Sequence, residues 1–294
     1  MTNKRTDLAA ELFEMQPKGT DGLTVENIRS APLAAQLLRV ESDGAGRAIG
    51  KPRGRYITLD LRDVWDRREE CFQECAAAVA DCLSRLLPEE LGEVLVVGLG
   101  NAAVTPDALG PSAVDHVMVT RHLVQDMPDL FGRMRPVCAV RPGVLGITGV
   151  ETAEIVRGVV DRVHPTAVIA VDALAARSTD RVLRTVQLTD TGISPGSGVG
   201  ERRFPLSRES LGVPCIAIGV PTVVDACTLA ADVLEERGHA PGEAQDACGR
   251  FSSLMVTPRD IDAESAAVAK IIGYGIDLAL QPGADCADVT AFLA

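Results

Sequence analysis

Short apolar runs alternate with stretches of helical periodicity along most of the chain. Runs of a few Val, Ile, Leu and Ala residues are typical of buried strands, and segments with apolar residues at every third or fourth position are typical of helices. The predicted strands are residues 23–28, 35–40, 56–61, 93–97, 137–140, 167–171, 185–188 and 215–218. The predicted helices are residues 64–87, 105–124, 151–163, 222–237 and 260–280. The first two strands suggest a hairpin.

Strands separated by helices predict a mostly parallel sheet that helices cover on both faces. Residues 43–54 are a predicted basic, glycine-rich loop, and residues 239–252 a predicted flexible loop. Ligands of parallel sheets bind beyond the carboxyl ends of the strands. By that rule, the segments expected to bind a ligand are residues 98–107, 141–151, 172–177 and 219–225.

The composition fits one α/β domain with a large aliphatic core. The chain has 294 residues, of which 46% are hydrophobic and 3% aromatic. A formal net charge of −12 repels phosphate backbones and argues against direct nucleic-acid binding. No apolar run approaches the roughly 18 residues of a membrane span, and the first residues lack the apolar core of a signal peptide. We therefore expect a cytoplasmic protein without a membrane partner.

The first candidate site lies in residues 98–111, after a predicted strand. It opens with a glycine-rich turn, and Thr105 and Pro106 suit the cap and first position of a helix. Asp107 then falls in the first helical turn, where an acid complements the helix dipole without any further role. Residues 98–103 also fit the loose dinucleotide pattern GxGxxA. We reject that interpretation because the loop is too long and no strand ending in an acid follows about 20 residues later.

The second candidate is Asp172, at the end of predicted strand 167–171. A carboxylate there is costly to bury unless it is paired, hydrogen-bonded or functional, and Arg177 and Ser178 are potential partners. Asp107 and Asp172 fall at the same edge of the predicted sheet. If they meet, their like charges favour sharing one proton. A carboxylate beside a carboxylic acid can activate water and protonate a leaving amine, but sequence alone leaves their meeting open.

Other chemical motifs are weaker. The eight cysteines include no CxxC pair and no histidine at zinc-finger spacing, so we expect buried, reduced thiols. The four histidines have no partner at metal-ligand spacing, and no GxSxG nucleophile turn occurs. Residues 195–200 form a glycine-rich run that suits an anion but is more typical of a loop. We therefore expect neither a metal nor a cofactor.

Seven motifs occur in one order along the chain. They are GLGN…VTPDALGP (98–111), TRHL (120–123), RPGVLGITGVET (141–152), VDALAARS (171–178), DTGISPGSGVG (190–200), IGVPTVVDA (218–226) and LMVTP (254–258). Together they resemble the spore germination protease family, the endopeptidases that degrade small acid-soluble spore proteins when a spore germinates. Seven ordered motifs are far more specific than any one of them.

The resemblance implies an atypical aspartic protease with Asp107 and Asp172 as the catalytic pair. It implies a single-domain, three-layer α/β/α fold with a mostly parallel twisted sheet, of the phosphorylase/hydrolase type and akin to the hydrogenase-maturation endopeptidases. It also implies a zymogen, a homotetramer, and small acid-soluble spore proteins as substrates in the spore core.

The N-terminus agrees with a zymogen. Residues 5–11 are similar to the family's self-cleavage sequence, which mimics the substrate site. The matching bond is Asp7–Leu8, which divides the chain into a pro-segment, residues 1–7, and a protease domain, residues 8–294. This pro-segment is shorter than is usual for the family, and residues 234–254 lack a longer insertion.

Two other interpretations stay open at this stage. One is a metal-dependent maturation endopeptidase of the hydrogenase type, with the two aspartates as ligands, and the other is a catalytically silent scaffold on the same fold. Five residues at the predicted sheet edge are candidates to support the aspartates, chosen by position alone: Asn101, Thr105, Arg141, Glu151 and Arg177.

Overall fold

The computed structural model describes residues 6–17, 19–30, 33–61, 69–195, 204–238 and 253–294. The described strands form one nine-stranded sheet. They are β1 (Leu23–Ser30), β2 (Leu33–Val40), β3 (Gly54–Asp60), β4 (Val94–Gly98), β5 (Val137–Val140), β6 (Ala167–Ala176), β7 (Thr185–Thr189), β8 (Cys215–Asp225) and β9 (Met255–Val256). The described helices are α1 (Ala9–Glu14), α2 (Asp43–Ile49), α3 (Glu69–Ser84), α4 (Leu109–Val114), α5 (Arg121–Asp126), α6 (Pro128–Phe131), α7 (Leu145–Thr148), α8 (Thr152–Val163), α9 (Arg208–Leu211), α10 (Ala226–Glu236), α11 (Ile261–Leu280) and α12 (Cys286–Leu293).

The sheet has two halves that differ in strand direction. Its order is β1-β2-β3-β7-β8-β6-β4-β5, with β9 paired to β8. Strands β5, β4, β6 and β8 pair in parallel, and we call them the parallel half. Strands β1, β2, β3 and β7 form the antiparallel half, and β7 also joins β8 in antiparallel fashion.

The prediction of a mostly parallel sheet is therefore wrong, because the sheet is mixed. The rule behind that prediction requires a long crossover between successive strands. Only two residues separate β1 from β2, which leaves room for a hairpin alone. The predicted hairpin itself is confirmed, with Leu23 opposite Val40 and Ser30 opposite Leu33.

An aliphatic core surrounds the central strands. Val96 of β4 lies beside Ile169 of β6, and both are fully buried. Burying such side chains contributes roughly 1.5–3 kcal/mol each. Helices α3 and α11 pack against each other, and a side chain at Gly275 would collide with Val79. Helix α3 contacts β1, β2, β3 and β7, while α11 packs against α4 and against the 3-10 turn that carries Asp107.

The long helix predicted over residues 105–124 is wrong. The chain instead makes a 3-10 turn at Thr105–Asp107, helix α4, and then helix α5. Distant parts of the chain bind the backbone groups that a continuous helix would pair. The Met118 N–H donates to both carboxyl oxygens of Asp277 at 3.0 and 3.1 Å. The Thr120 N–H donates to the carbonyl of Val137 at 3.0 Å.

The glycine-rich loop predicted over residues 43–54 is also corrected, since it contains helix α2. The Ser42 side chain caps this helix by accepting a hydrogen bond from the Ala45 N–H. The helix ends at Gly50, whose φ of 67° is left-handed. These end signals outweigh the low helix propensity of the glycines inside the segment.

Strands β6 and β8 are longer than predicted. They stay paired to Ala176 and Val224, past the points at which their apolar runs are interrupted. Helix α10 consequently begins at Ala226 instead of residue 222. No helix in the described ranges is long and apolar enough to cross a membrane. The predicted loop 239–252 and most of the glycine-rich run 195–200 lie outside the described residues.

Candidate active site

A cavity of about 420 Å³ opens where strand β4 ends, and we call it the aspartate cavity. Both predicted acids, Asp107 and Asp172, line it. Its walls are mostly apolar, with a few polar groups. The other polar side chains that line it belong to Asp7, Asn101, Thr152, Thr222 and Thr257. The structure thus brings together two acids that stand 65 positions apart in the sequence.

Asp172 reaches the cavity from the middle of β6. Strand β4 ends at Gly98, which lies opposite Val171, so Asp172 is the first residue of β6 beyond its neighbour's end. The carboxyl group is 5% exposed and accepts a hydrogen bond from the Ala173 N–H at 2.9 Å. A buried carboxylate needs such donors. The prediction that Asp172 lies at the end of its own strand is wrong. Asp172 instead lies just beyond the end of the neighbouring strand β4, and this position also exposes it to the cavity.

Asp107 reaches the cavity from the 3-10 turn that follows β4. The Asn101 N–H donates to its carboxylate Oδ2 at 2.7 Å and to its carbonyl oxygen at 3.1 Å. The Thr222 hydroxyl, on β8, donates to the carbonyl of Pro106 at 2.6 Å. These bonds hold the turn from two sides, so the Asp107 carboxylate is oriented by the loop that carries it and by a strand of the parallel half.

Two glycines make the close approach of this loop to β6 feasible. Gly100 has a φ of 112°, and a side chain there would overlap the carbonyl oxygen of Asp107. A side chain at Gly110 would overlap the carbonyl oxygens of Leu99 and Val171. The Leu99 N–H donates to that same Val171 oxygen at 2.8 Å. The loop therefore folds directly against the residue that precedes Asp172.

The predicted supporting residues divide into two groups. Asn101 lines the cavity and binds Asp107. Thr105 begins the 3-10 turn, and its carbonyl accepts from the Ala108 N–H, but its side chain does not cap a helix. Asn101 and Thr105 thus shape the loop around Asp107 mainly through the backbone.

The other three lie away from the cavity wall. Arg141 forms an ion pair with Asp115 at 2.7 Å, with both side chains about half exposed. Glu151 caps helix α8. Arg177 forms an ion pair with Asp232 at 3.0 Å. Position at a predicted edge was too coarse a criterion to separate these three from the residues of the cavity.

The N-terminal segment enters the aspartate cavity, which we did not predict. Asp7 lines the cavity and is 8% exposed, and Leu8 is fully buried. The Asp7 N–H donates to the carbonyl of Ala175, and the Ala175 N–H donates to the Asp7 carboxylate, each at 2.9 Å. The Gln187 side chain accepts from the Ala9 N–H at 2.6 Å and donates to the Asp7 carbonyl at 3.4 Å. Gln187 thus contacts the chain on both sides of the Asp7–Leu8 bond.

A second acid anchors the same segment. Glu11 is 3% exposed, and its carboxylate accepts from the N–H groups of Arg177 at 2.8 Å and Ser178 at 3.0 Å. The Thr6 hydroxyl also donates to it, and Arg181 forms an ion pair with it at 3.5 Å. Residues 6–11 are therefore held along the extension of β6 by two buried acids.

Metal binding by the aspartate cavity would depend on the carboxylates that line it, those of Asp7, Asp107 and Asp172. Within the described part of the chain, no group of three or more His, Cys, Asp or Glu side chains is arranged to hold a metal ion.

Of the histidines, His116 has a lowered pKa because of burial and the charge of Lys270. Burial raises the pKa of Cys215 to about 12, which keeps this thiol protonated.

Known proteins resemble this chain over most of its length. The model of the germination protease family matches residues 3–237. A germination protease of Clostridium perfringens is 42% identical over 326 aligned positions, which cover 100% of both chains. One from Caldanaerobacter subterraneus is 42% identical over 306 positions, covering 95% of this chain and 94% of the relative. One from Bacillus cereus is 45% identical over 243 positions, covering 79% and 66%.

Proposed function

The chain belongs to the germination protease family and is a peptidase of spore germination, and we propose that Asp107 and Asp172 perform its chemistry. One observation carries this proposal: the two carboxyl groups line the same cavity at the end of β4. Acids that converge in a partly apolar cavity are typical of sites in which one carboxyl group keeps a proton.

In the proposed mechanism the pair shares one proton. The ionised carboxylate takes a proton from a water molecule, whose oxygen attacks the carbonyl carbon of the scissile bond. The protonated partner then gives its proton to the leaving nitrogen as the carbon–nitrogen bond breaks. The N–H groups that bind Asp107 and Asp172 support the proposal because they orient both carboxyl groups.

We further propose that the chain is made as a zymogen that cuts its own Asp7–Leu8 bond. Residues 1–7 would then be the pro-segment and residues 8–294 the mature protease. The presence of Asp7 in the aspartate cavity supports this assignment. Because Leu8 is fully buried and Gln187 holds the chain on both sides of the bond, the main chain at Leu8 must loosen before attack.

Family membership is also the basis for three finer proposals. The substrates are small acid-soluble spore proteins, cut after an acidic residue. The site of action is the spore core. The working assembly is a homotetramer, which sedimentation velocity on the purified chain would detect directly.

The two aspartates are tested by self-cleavage. The full chain is incubated in mild acid, and mass spectrometry follows the loss of residues 1–7. We expect this loss in the wild type but not in Asp107→Asn or Asp172→Asn. Asp161→Asn, which changes a 59% exposed acid on α8, should process normally. Normal processing in either aspartate variant would remove the proposed mechanism, and no processing in any chain would favour a silent scaffold.

A metal-dependent maturation endopeptidase is the alternative use of the same pair. Two carboxylates would leave most of a metal's coordination positions to water or substrate. Prolonged EDTA treatment separates the alternatives. Activity that survives it supports the metal-independent mechanism, and activity that is lost and then returns with added metal supports the other.

A further inference from the structure

A second cavity, of about 500 Å³, adjoins the aspartate cavity. Asp7 and Leu174 line both, so the docked N-terminal segment lies between them. The second cavity is bounded by the turn after helix α2, by strand β7 and by the segment around α9. Departure of residues 6–7 would therefore open a continuous path from one cavity to the other.

The charges of the second cavity change when Asp7 leaves. Its cationic side chains are Lys51, Arg53 and Arg208, and its acids are Asp7, Asp190 and Glu209. Two of these acids have partners of their own. The Asp190 carboxylate accepts from the backbone N–H and the Nε–H of Arg55 at 2.8 and 2.7 Å. The Glu209 carboxylate accepts from the Ser207 hydroxyl at 2.7 Å. Without Asp7, three cations face two acids that are already bound elsewhere.

Lys51 lines the second cavity together with Asp7. Burial lowers the pKa of its ammonium group, while the Asp7 carboxylate acts in the opposite direction. Its backbone is fixed at the end of α2, where its N–H donates to the Gly46 carbonyl at 3.0 Å. An ammonium group that is partly withdrawn from water on a fixed backbone is stabilised by an anion, and Asp7 supplies one while it is docked.

We propose that Lys51 is the residue that selects an acidic side chain immediately before the cleaved bond, binding first Asp7 and then the equivalent acid of a protein substrate. This inference rests on the proposed self-cleavage at Asp7–Leu8. The chain carries a net charge of −12, so its overall field repels acidic substrates and a local cation must attract them. Gln187 holds the main chain on both sides of the same bond. The Ala175 N–H, which binds the Asp7 carboxylate, could donate equally to the oxygen of an asparagine, so the choice between the two side chains depends on the charge of Lys51.

Two peptides that copy residues 3–14, one with Asp and one with Asn at the position of Asp7, test this role. The protein is the full chain after self-cleavage, and the readout is the ratio of kcat/KM for the two peptides. We expect the wild type to prefer the Asp peptide by about tenfold or more, as for an ion pair that is largely shielded from water. Lys51→Met should bring the ratio close to one, and Lys51→Arg should keep it. Arg39→Met, which removes an exposed cation of β2 that lines neither cavity, should leave the ratio unchanged.

A ratio within one variant is insensitive to partial unfolding, because unfolding lowers both rates equally. A charge reversal sharpens the test: Lys51→Glu should prefer a peptide with Lys at that position. Unchanged preference for the Asp peptide in Lys51→Met would overturn the proposal. A failure of the proposed function would give a different result from a failure of the Lys51 proposal. In that case Asp172→Asn would cut both peptides at the wild-type rate.

Discussion

The parallel and antiparallel halves of the sheet contribute differently to the site. The parallel half carries the two aspartates, because strands that end together bring the loops after them to one edge. The N-terminal segment docks where the two halves meet, against Ala175 of β6 and Gln187 of β7. Asp7 lines both cavities. The candidate catalytic residues lie at the end of β4, whereas the cleavable segment docks farther along β6 and against β7, and each should be separable by mutation.

The largest effect on the parallel half should come from Gly100→Ala. The substitution forces a side chain onto a left-handed backbone and into the carbonyl oxygen of Asp107. We expect a loss of about 2–4 kcal/mol in unfolding free energy and a fall of about a hundredfold in peptidase activity, because the loop moves the Asp107 carboxylate. Chemical denaturation and peptide cleavage measure the two losses.

Gly149→Ala is the matched control. Gly149 also has a left-handed φ, 70°, but an added side chain there meets no atom. The Gly149→Ala variant should lose stability through backbone strain and keep most of its peptidase activity. Equal activity losses in the two variants would show that strain alone, and not the position of Asp107, explains the result.

Sequence reasoning succeeded where burial follows local patterns. Strand β5 and helix α11 lie within one residue of their predicted bounds, and the edge rule placed Asp107 and Asp172 at the same end of the sheet, where both line one cavity. It failed where distant side chains decide the structure. The Asp277 carboxylate that interrupts the predicted helix 105–124 is 159 positions from Met118. The docking of Glu11 depends on a backbone N–H 166 positions away, at Arg177. The local pattern of apolar and polar residues does not indicate bonds between such distant positions.

The next prediction concerns the packing behind the parallel half. Asp277 of α11 is fully buried, and burial raises its pKa to about 8, from an ordinary value of 3.8. Between these values the folded chain holds a proton that the unfolded chain has released. The contribution of Asp277 to stability is therefore full in acid and is lost as the pH rises from about 4 to 8, by up to about 1.4 kcal/mol per pH unit.

Asp277→Asn should remove most of that slope while keeping an oxygen to accept from the Met118 N–H. Urea denaturation at pH 5, 6.5 and 8 measures it. Asp262→Asn, which changes an exposed acid on the same helix, should retain the wild-type slope. Parallel slopes for Asp277→Asn and the wild type would mean that this carboxyl group is ionised in the folded chain.

A smaller effect is expected on the docked N-terminal segment from Glu11→Gln. The amide has one oxygen in place of two and no charge, so it cannot satisfy the Arg177 and Ser178 N–H groups and Arg181 together. We expect a loss of about 1–3 kcal/mol in unfolding free energy. Self-cleavage should become several-fold faster, because residues 6–8 undock more often.

Glu14→Gln provides the control for this prediction. Glu14 pairs with the same Arg181 at 2.7 Å but is 57% exposed, so its loss should cost less than about 1 kcal/mol. Slower self-cleavage in Glu11→Gln would mean that the docked position is the reactive one. The separation of chemistry from docking would then fail.

The smallest effect should come from Thr222→Val, which tests whether β8 orients the Asp107 turn. Valine keeps the shape of threonine but cannot donate to the Pro106 carbonyl, and we expect a stability loss of about 1 kcal/mol. Thr257→Val removes a comparable bond, to the Thr222 carbonyl, on the wall of the same cavity. If the tether matters for catalysis, kcat falls several-fold in Thr222→Val alone at similar stability. Equal kcat values would mean that the loop of Asp107 orients its carboxylate by itself, through the Asn101 N–H. Strand β8 would then have no catalytic role, and within the parallel half only the loop after β4 and strand β6 would contribute to catalysis.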